Sequence, residues 1–71
     1  MQTYTLDRSG ASPLYEQLYR ALKADILSGA LPGGSRLPSG RALAEHLGLS
    51  RVTVETAYAQ LLAEGYLTSR P

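Results

Sequence analysis

The feature that most constrains the fold is a short break between two segments of helical periodicity. In the stretch LAEHLGLSRVTVETAY, residues 43–58, the tripeptide Gly-Leu-Ser interrupts the apolar pattern. Gly48 can adopt the positive φ that a sharp turn between helices needs. Ser50 can accept hydrogen bonds from the free N–H groups at the start of the next helix. The break therefore predicts two helices that meet at a tight corner, with Leu49 packed in the angle between them.

The helix after the break has the clearest periodicity in the chain, and we predict it over residues 51–64. Gly65 is the expected end, because glycine suits the left-handed residue that closes a helix. Apolar residues recur at i, i+3, i+4, i+7 and i+8, which places them on one helical face. They are Val54, Ala57, Tyr58, Leu61 and Leu62.

Two further helices precede the break. A short helix is predicted over 40–47, capped by Ser39 and with its apolar residues facing inward. A longer helix is expected to start at Ser12-Pro13, where serine can cap and proline tolerates the first helical position. Gly29 is its expected end. Four apolar residues of the longer helix follow one another at four-residue steps: Leu14, Leu18, Leu22 and Ile26.

The remaining segments predict one domain, mostly α with a small β wing, after an N-terminal arm. Residues 1–11 form the arm, and residues 12–71 form the domain. The connector ALPGGSRLPS is too rich in proline and glycine for a helix, although Leu37 before Pro38 favours extended backbone. The segment YLTSR alternates like the start of a strand. We expect the strand to pair with the extended piece near Leu37, in a wing whose return strand is truncated.

Composition excludes several classes of protein. The 71 residues contain no cysteine, so neither disulfides nor thiolate metal sites stabilise the core. No apolar run reaches the ~18 residues of a membrane span, and no secretory signal opens the sequence. We therefore predict a cytoplasmic protein with no membrane association. There are no paired carboxylates and no nucleophile beside a base, and Lys23, the sole lysine, sits among charges. We predict that the chain is not an enzyme and binds neither a metal nor a cofactor.

The spacing of small residues around the break fits a helix-turn-helix. Its helices cross at about 90–120° through a turn of three or four residues, commonly containing glycine. Ala44 supplies the small residue at the crossing, and Gly48 follows four residues later. Val54 and Ala57 then fall in phase on the next helix. The alternative is a plain three-helix bundle in which the small residues only assist packing.

The distribution of charge favours a nucleic-acid partner over the plain bundle. The net charge is only +1, but residues 36–54 carry three arginines against one glutamate, a balance of +2. The first turn of the last helix presents Arg51, Val52 and Thr53 opposite the apolar face. In a helix-turn-helix these positions face base edges in the major groove. Arginine can donate twice to guanine, threonine can bond or offer its methyl, and valine can contact a thymine methyl.

The segments ILSGALPGGSRLPSGRALAEHLGLSRVTV and LLAEGYL resemble the winged helix-turn-helix domain of the GntR family of bacterial transcription regulators. The resemblance covers residues 12–71, and AYAQLLAEGYLTSRP is similar to the MocR subfamily, also called PdxR-like. It implies a homodimer that reads double-stranded operator DNA. It also implies that pyridoxal phosphate would be bound only by a separate aminotransferase-like domain. Because most dimer contacts of the family come from that domain, we expect this chain alone to form a weak homodimer or none.

The resemblance also implies DNA contacts at individual residues. The family's serine and arginine in LPSxRxLA match Ser39 and Arg41, which would grip phosphates. Its SRxT motif at the start of the recognition helix matches Ser50, Arg51 and Thr53, with Val52 in place of a common polar residue.

Four further positions bear on recognition. Arg36 is a candidate contact or a solvated arginine, and Arg70 would reach the minor groove from the wing. The glutamate of the family's PSER segment is Gly40 here, and Glu55 stands where many members have arginine. Glu55 could accept from a cytosine amino group or point away. A protein-interaction module that uses the same face is the alternative function.

Overall fold

The computed structural model describes residues 4–10, 12–30 and 37–67. Within those ranges it contains three helices: α1 is Leu14–Ser28, α2 is Gly40–Leu47 and α3 is Arg51–Ala63. The predicted three-helix architecture is therefore confirmed. Leu37 and the two residues after Gly65 that are described belong to no strand. The other residues of the predicted wing, position 36 and residues 68–71, lie outside the described residues.

The core forms where α3 packs against both α1 and α2. Leu62 belongs to the predicted apolar face, but it is 39% exposed. That prediction is wrong because the apolar face of α3 is wider than the surface that the other two helices cover. Tyr58 lies at the edge of the covered surface and is half-buried. The buried residues are Leu18, Tyr19, Leu22, Leu43, Ala44, Val54, Ala57 and Leu61.

The start of α1 differs from the sequence prediction. Pro13 is the N-cap, with φ −59° and ψ 143°, and no side chain caps the helix. The Pro13 carbonyl accepts from the backbone N–H groups of Glu16 and Gln17, each at 3.2 Å. The Ser12 carbonyl accepts from the Gln17 side chain at 2.9 Å. The predicted Ser12 cap is wrong because the extended ψ of Pro13 makes that residue the cap. Gly29 closes α1 at φ 87°, as predicted.

The N-terminal segment 4–10 lies against the helices. The Tyr4 hydroxyl donates to Asp25 Oδ2 on α1 at 2.7 Å, and the Tyr4 ring packs against the core. Asp7 accepts from Gln17 Nε2 through its carbonyl at 2.7 Å and donates through its N–H to Gln17 Oε1. Burial and the bond to Asp25 raise the pKa of Tyr4. These contacts join the segment to α1.

The end of α3 is fixed by a turn and by a side-chain contact to α1. The Tyr66 N–H donates to the Leu61 carbonyl at 2.9 Å, and the Gly65 N–H donates to Leu62 at 3.1 Å. These two bonds, with φ 85° at Gly65, form a Schellman motif. The Tyr19 hydroxyl of α1 donates to the carboxylate of Glu64. This bond raises the pKa of Tyr19 and lowers that of Glu64.

Candidate nucleic-acid interface

The turn between α2 and α3 has the predicted glycine conformation and the predicted serine cap. Gly48 ends α2 in the left-handed region, with φ 70° and ψ 33°, and donates its N–H to the Ala44 carbonyl. The Leu49 N–H donates to the same carbonyl at 2.9 Å, and the Leu49 side chain packs against the core. A residue with a Cβ would be strained at this φ, so glycine is what allows the chain to turn here. The corner places the start of α3 on the outside of the molecule.

Two serines cap the helices of this corner, as the sequence predicts. Ser39 Oγ accepts from the Ala42 N–H at 3.1 Å at the start of α2. Ser50 Oγ accepts from the Thr53 N–H at 3.1 Å at the start of α3, and lies 2.7 Å from Thr53 Oγ1. Both serines are exposed. Helix N-termini carry partial positive charge and attract phosphate, so each cap marks a position suited to a DNA backbone contact.

The first turn of α3 forms an exposed tip. The Arg51 side chain is 65% exposed, and Val52 is 73% exposed. Thr53 is half-buried, with its hydroxyl against Ser50, and the next residue, Val54, is fully buried. An exposed valine beside an exposed arginine is available to meet a thymine methyl while the arginine meets guanine. The three residues predicted to read bases are therefore together on the surface, with Thr53 the least accessible.

Two arginines of the predicted interface are paired with glutamates on their own helices. Arg51 Nε donates to Glu55 Oε2 at 2.6 Å. Arg41 Nε lies 3.6 Å from Glu45 Oε2, and both of these side chains are exposed. The sequence leaves open whether Glu55 faces a base or points away, and the structure instead pairs it with Arg51. The four-residue spacing from Arg51 to Glu55 was the available signal, because such side chains are neighbours on a helix.

A hydrogen bond joins α3 to the residue before the α2 cap. The Tyr58 hydroxyl donates to the Pro38 carbonyl at 2.8 Å. Burial raises the pKa of Tyr58 to about 12, so the hydroxyl remains a donor well into alkaline solution. Arg8 was not predicted as a contributor, yet its Nη2 lies 3.3 Å from the carbonyl oxygens of Leu47 and Gly48. This arginine adds a positive charge at the corner that only the tertiary structure reveals.

Other sequence predictions concern two further arginines, metal binding and membrane association. Arg36 and Arg70 lie outside the described residues. Among the residues that are described, no three histidine, cysteine or acidic side chains group as metal ligands. No helix in the described ranges is both long and apolar enough to cross a bilayer. The candidate interface therefore consists of the start of α2, the corner and the tip of α3.

This chain is closely similar to known proteins. The model of the family "Bacterial regulatory proteins, gntR family" matches residues 14–71. The chain is 55% identical over 65 residues to "Probable rhizopine catabolism regulatory protein MocR" of Rhizobium meliloti, covering 92% of this chain and 13% of that protein. It is 43% identical over 70 residues to "HTH-type transcriptional regulator TauR" of Rhodobacter capsulatus, covering 99% and 14%.

A third relative is "HTH-type pyridoxine biosynthesis transcriptional regulator PdxR" of Corynebacterium glutamicum. Its identity to this chain is 45% over 53 residues, which is 75% of this chain and 12% of that protein. The chain therefore spans about one-seventh of the length of these relatives or less. All three relatives carry the name of a regulatory protein, and their similarity falls on the segment that contains the corner.

Proposed function

The chain belongs to the gntR family of bacterial regulatory proteins, and from this premise we propose that it reads operator DNA with the tip of α3. The observation that carries the proposal is the exposed pair Arg51 and Val52 at the start of a helix whose next inward residue is fully buried. Helix α3 would enter the major groove with its N-terminal turn against the bases. The partner is then double-stranded DNA.

The residues of the interface divide into two roles in this proposal. Arg51 would donate two hydrogen bonds to guanine, while Val52 and Thr53 would offer methyl groups to thymine. Ser39 and Arg41 at the start of α2, together with Ser50, would contact phosphates. Such contacts fix the position of a protein on DNA without reading its sequence. Arg36 is retained as a further proposed contact because it belongs to the positively charged stretch 36–54, and Arg70 because of the family resemblance.

The side chains around Lys23 do not fit pyridoxal phosphate. Lys23 Nζ lies 5.6 Å from the centre of the Tyr19 ring and 5.1 Å from that of Tyr66. The hydrogen bond to the Tyr19 hydroxyl raises the pKa of Lys23 and so favours the charged ammonium. A Schiff base needs the neutral amine. We therefore propose no catalytic role and no cofactor for this chain, and leave pyridoxal phosphate to an aminotransferase-like domain outside it.

A homodimer on a two-part operator is the assembly we propose for the whole protein in the bacterial cytoplasm. With about three arginines of each copy placed against the DNA backbone, a dimer would neutralise about six phosphate charges. The logarithm of affinity should then fall with the logarithm of salt concentration with a slope of about −5. A slope close to zero would contradict the proposal, because it would mean that no phosphate is contacted.

The direct test is to replace Arg51. Fragments selected from a random duplex pool by the wild-type chain would be titrated with Arg51→Ala, and affinity should fall by about tenfold to a hundredfold. Arg20→Ala is the matched control, because Arg20 is 64% exposed and also pairs with a glutamate four residues away, but lies on α1. Equal effects of the two substitutions would contradict the proposal. An Arg51→Ala chain that binds DNA normally but loses a protein contact would favour the protein-interaction module, for which the exposed Val52 is the supporting feature.

A further inference from the structure

The ion pair on the exposed tip joins a residue proposed to read DNA to one with no assigned role. The Arg51 guanidinium donates from Nε to Glu55 Oε2 at 2.6 Å, across one turn of α3. Ion pairs this exposed contribute little to stability, so folding alone does not account for the contact. The pair does, however, fix which edge of the Arg51 guanidinium is occupied.

Gly40 on the neighbouring helix gives Glu55 its place. A Cβ atom at position 40 would lie 2.8 Å from Glu55 Cγ and 3.4 Å from Oε2. Gly40 is the first residue of α2 and is not among the glycines with positive φ, so its backbone conformation does not require glycine. Glycine at a helical position also disfavours the helix relative to alanine. What Gly40 supplies is the space into which the Glu55 side chain packs.

The occupied edge of Arg51 leaves the opposite edge available. A guanidinium has five N–H donors in a rigid fork. In the part of the chain that is described, Nε is the Arg51 donor with a protein acceptor. The two terminal nitrogens therefore remain for an external acceptor, and their spacing matches O6 and N7 of guanine. A carboxylate near the DNA also repels phosphates, so the pair should lower affinity for all sequences. The loss should be smallest for the sequence that the oriented Arg51 matches, which increases discrimination.

We propose that Glu55 is a positioning residue that holds Arg51 in its base-reading orientation, and that Gly40 provides the space for it. The inference rests on the proposed function and names the residues that determine its specificity. Glu55 contacts no base in this arrangement. It restricts the rotamers of Arg51 before DNA arrives, so that less conformational freedom is lost on binding to the matching base pair.

The experiment compares binding to two duplexes. The first is the duplex that the wild-type chain selects from a random pool. The second differs only at the base pair whose preference disappears in Arg51→Ala. For Glu55→Ala we expect affinity for the altered duplex to rise by about twofold, because a negative charge is removed near phosphates. Discrimination between the two duplexes should fall by about threefold to tenfold, which is part of the value of one bidentate contact.

Two further variants separate positioning from charge. Gly40→Ala keeps the carboxylate but takes its space, so discrimination should fall while affinity for the altered duplex stays near the wild-type value. Glu45→Ala is the matched control, since Glu45 pairs with Arg41 four residues away at 3.6 Å. Because Arg41 is a proposed phosphate contact, Glu45→Ala should leave discrimination unchanged. Circular dichroism would verify that each variant is folded.

The outcomes distinguish this inference from the proposed function. A wild-type preference that survives Glu55→Ala and Gly40→Ala unchanged overturns the inference alone. So does a parallel rise in affinity for both duplexes in Glu55→Ala, which would make Glu55 a simple repulsive charge. A wild-type chain that prefers no duplex overturns the proposed function, and this inference with it.

Discussion

The Tyr58 hydroxyl is bonded to the Pro38 carbonyl at 2.8 Å, and this bond joins the middle of α3 to the residue that precedes the Ser39 cap. The bond links the helix with the proposed base contacts to the chain just before the helix with the proposed phosphate contacts. If these helices shifted relative to each other, the base contacts and the phosphate contacts could not form at the same time. The Tyr58 bond is therefore expected to matter for stability and for recognition together.

Tyr58→Phe should lower the free energy of unfolding by about 1 kcal/mol, because it leaves the half-buried Pro38 carbonyl without its donor. Urea unfolding followed by circular dichroism measures the change. Tyr15→Phe is the control, since Tyr15 is also half-buried and no hydrogen bond of its hydroxyl occurs among the described residues. It should change stability by less than about 0.5 kcal/mol. Equal losses would show that removing a tyrosine hydroxyl costs the same where it has no such partner, and therefore that the Pro38 bond adds no stability.

Stability should decline in alkaline solution. Burial raises the pKa of Tyr58 from 10.0 to about 12. Between those values the folded chain retains a proton that the unfolded chain has lost, so the free energy of unfolding falls as pH rises. The contribution is fully present below pH 10 and is lost as pH rises toward the folded pKa. Urea unfolding across this range should show a shallower decline for Tyr58→Phe than for the wild-type chain, and identical declines would count against the assignment.

Arg8→Ala should loosen the corner. The guanidinium lies against the carbonyl oxygens of Leu47 and Gly48, where the negative end of α2 favours a positive charge. We expect a loss of roughly 0.5–1 kcal/mol, and faster hydrogen exchange at the Leu49 amide, which bonds within the corner. Arg20→Ala removes the same charge from α1 and should not accelerate exchange at Leu49. Unchanged Leu49 exchange in Arg8→Ala would show that the arginine does not support the turn.

Adjacent leucines on α3 should respond very differently to truncation. Leu61 is fully buried, whereas Leu62 is 39% exposed. Leu61→Ala should cost about 2–5 kcal/mol, which a domain of this size tolerates poorly, while Leu62→Ala should cost less than about 1 kcal/mol. Thermal unfolding of the two variants compares them directly. Similar melting temperatures would mean that α3 is rotated so that Leu61 and Leu62 are buried to a similar extent.

Local chemistry accounts for what was predictable in this chain. Ser39, Ser50 and Gly48 act through hydrogen bonds and backbone angles within a few residues of themselves, and their predicted roles as caps and turn are confirmed. The Ser12 prediction was also local and failed, because Ser12 and Pro13 both suit a helix start and composition does not rank them. Sequence periodicity marked a face of α3 that included Leu62, but how far neighbouring helices cover that face is decided by tertiary packing.

In the candidate interface, too, local features were predictable from the sequence and tertiary contacts were not. Arg51 and Val52 were predicted to be exposed from their position opposite the apolar face, and the structure agrees. The Arg51–Glu55 pair could have been found from its spacing. The approach of Glu55 to Gly40 and of Arg8 to Gly48 could not, because each joins segments distant in sequence. The DNA contacts assigned to Arg51 and Val52 remain predictions for the binding experiments.

The attachment of Arg8 to the corner also offers a spectroscopic handle. Ser9 follows Arg8 and is exposed, and the native sequence has no cysteine. A fluorophore coupled to Ser9→Cys would thus be the sole label on the chain, attached next to the arginine that contacts the turn leading into α3. Its polarity-sensitive emission would report a macromolecule docking at that turn in real time, without any label on the nucleic acid.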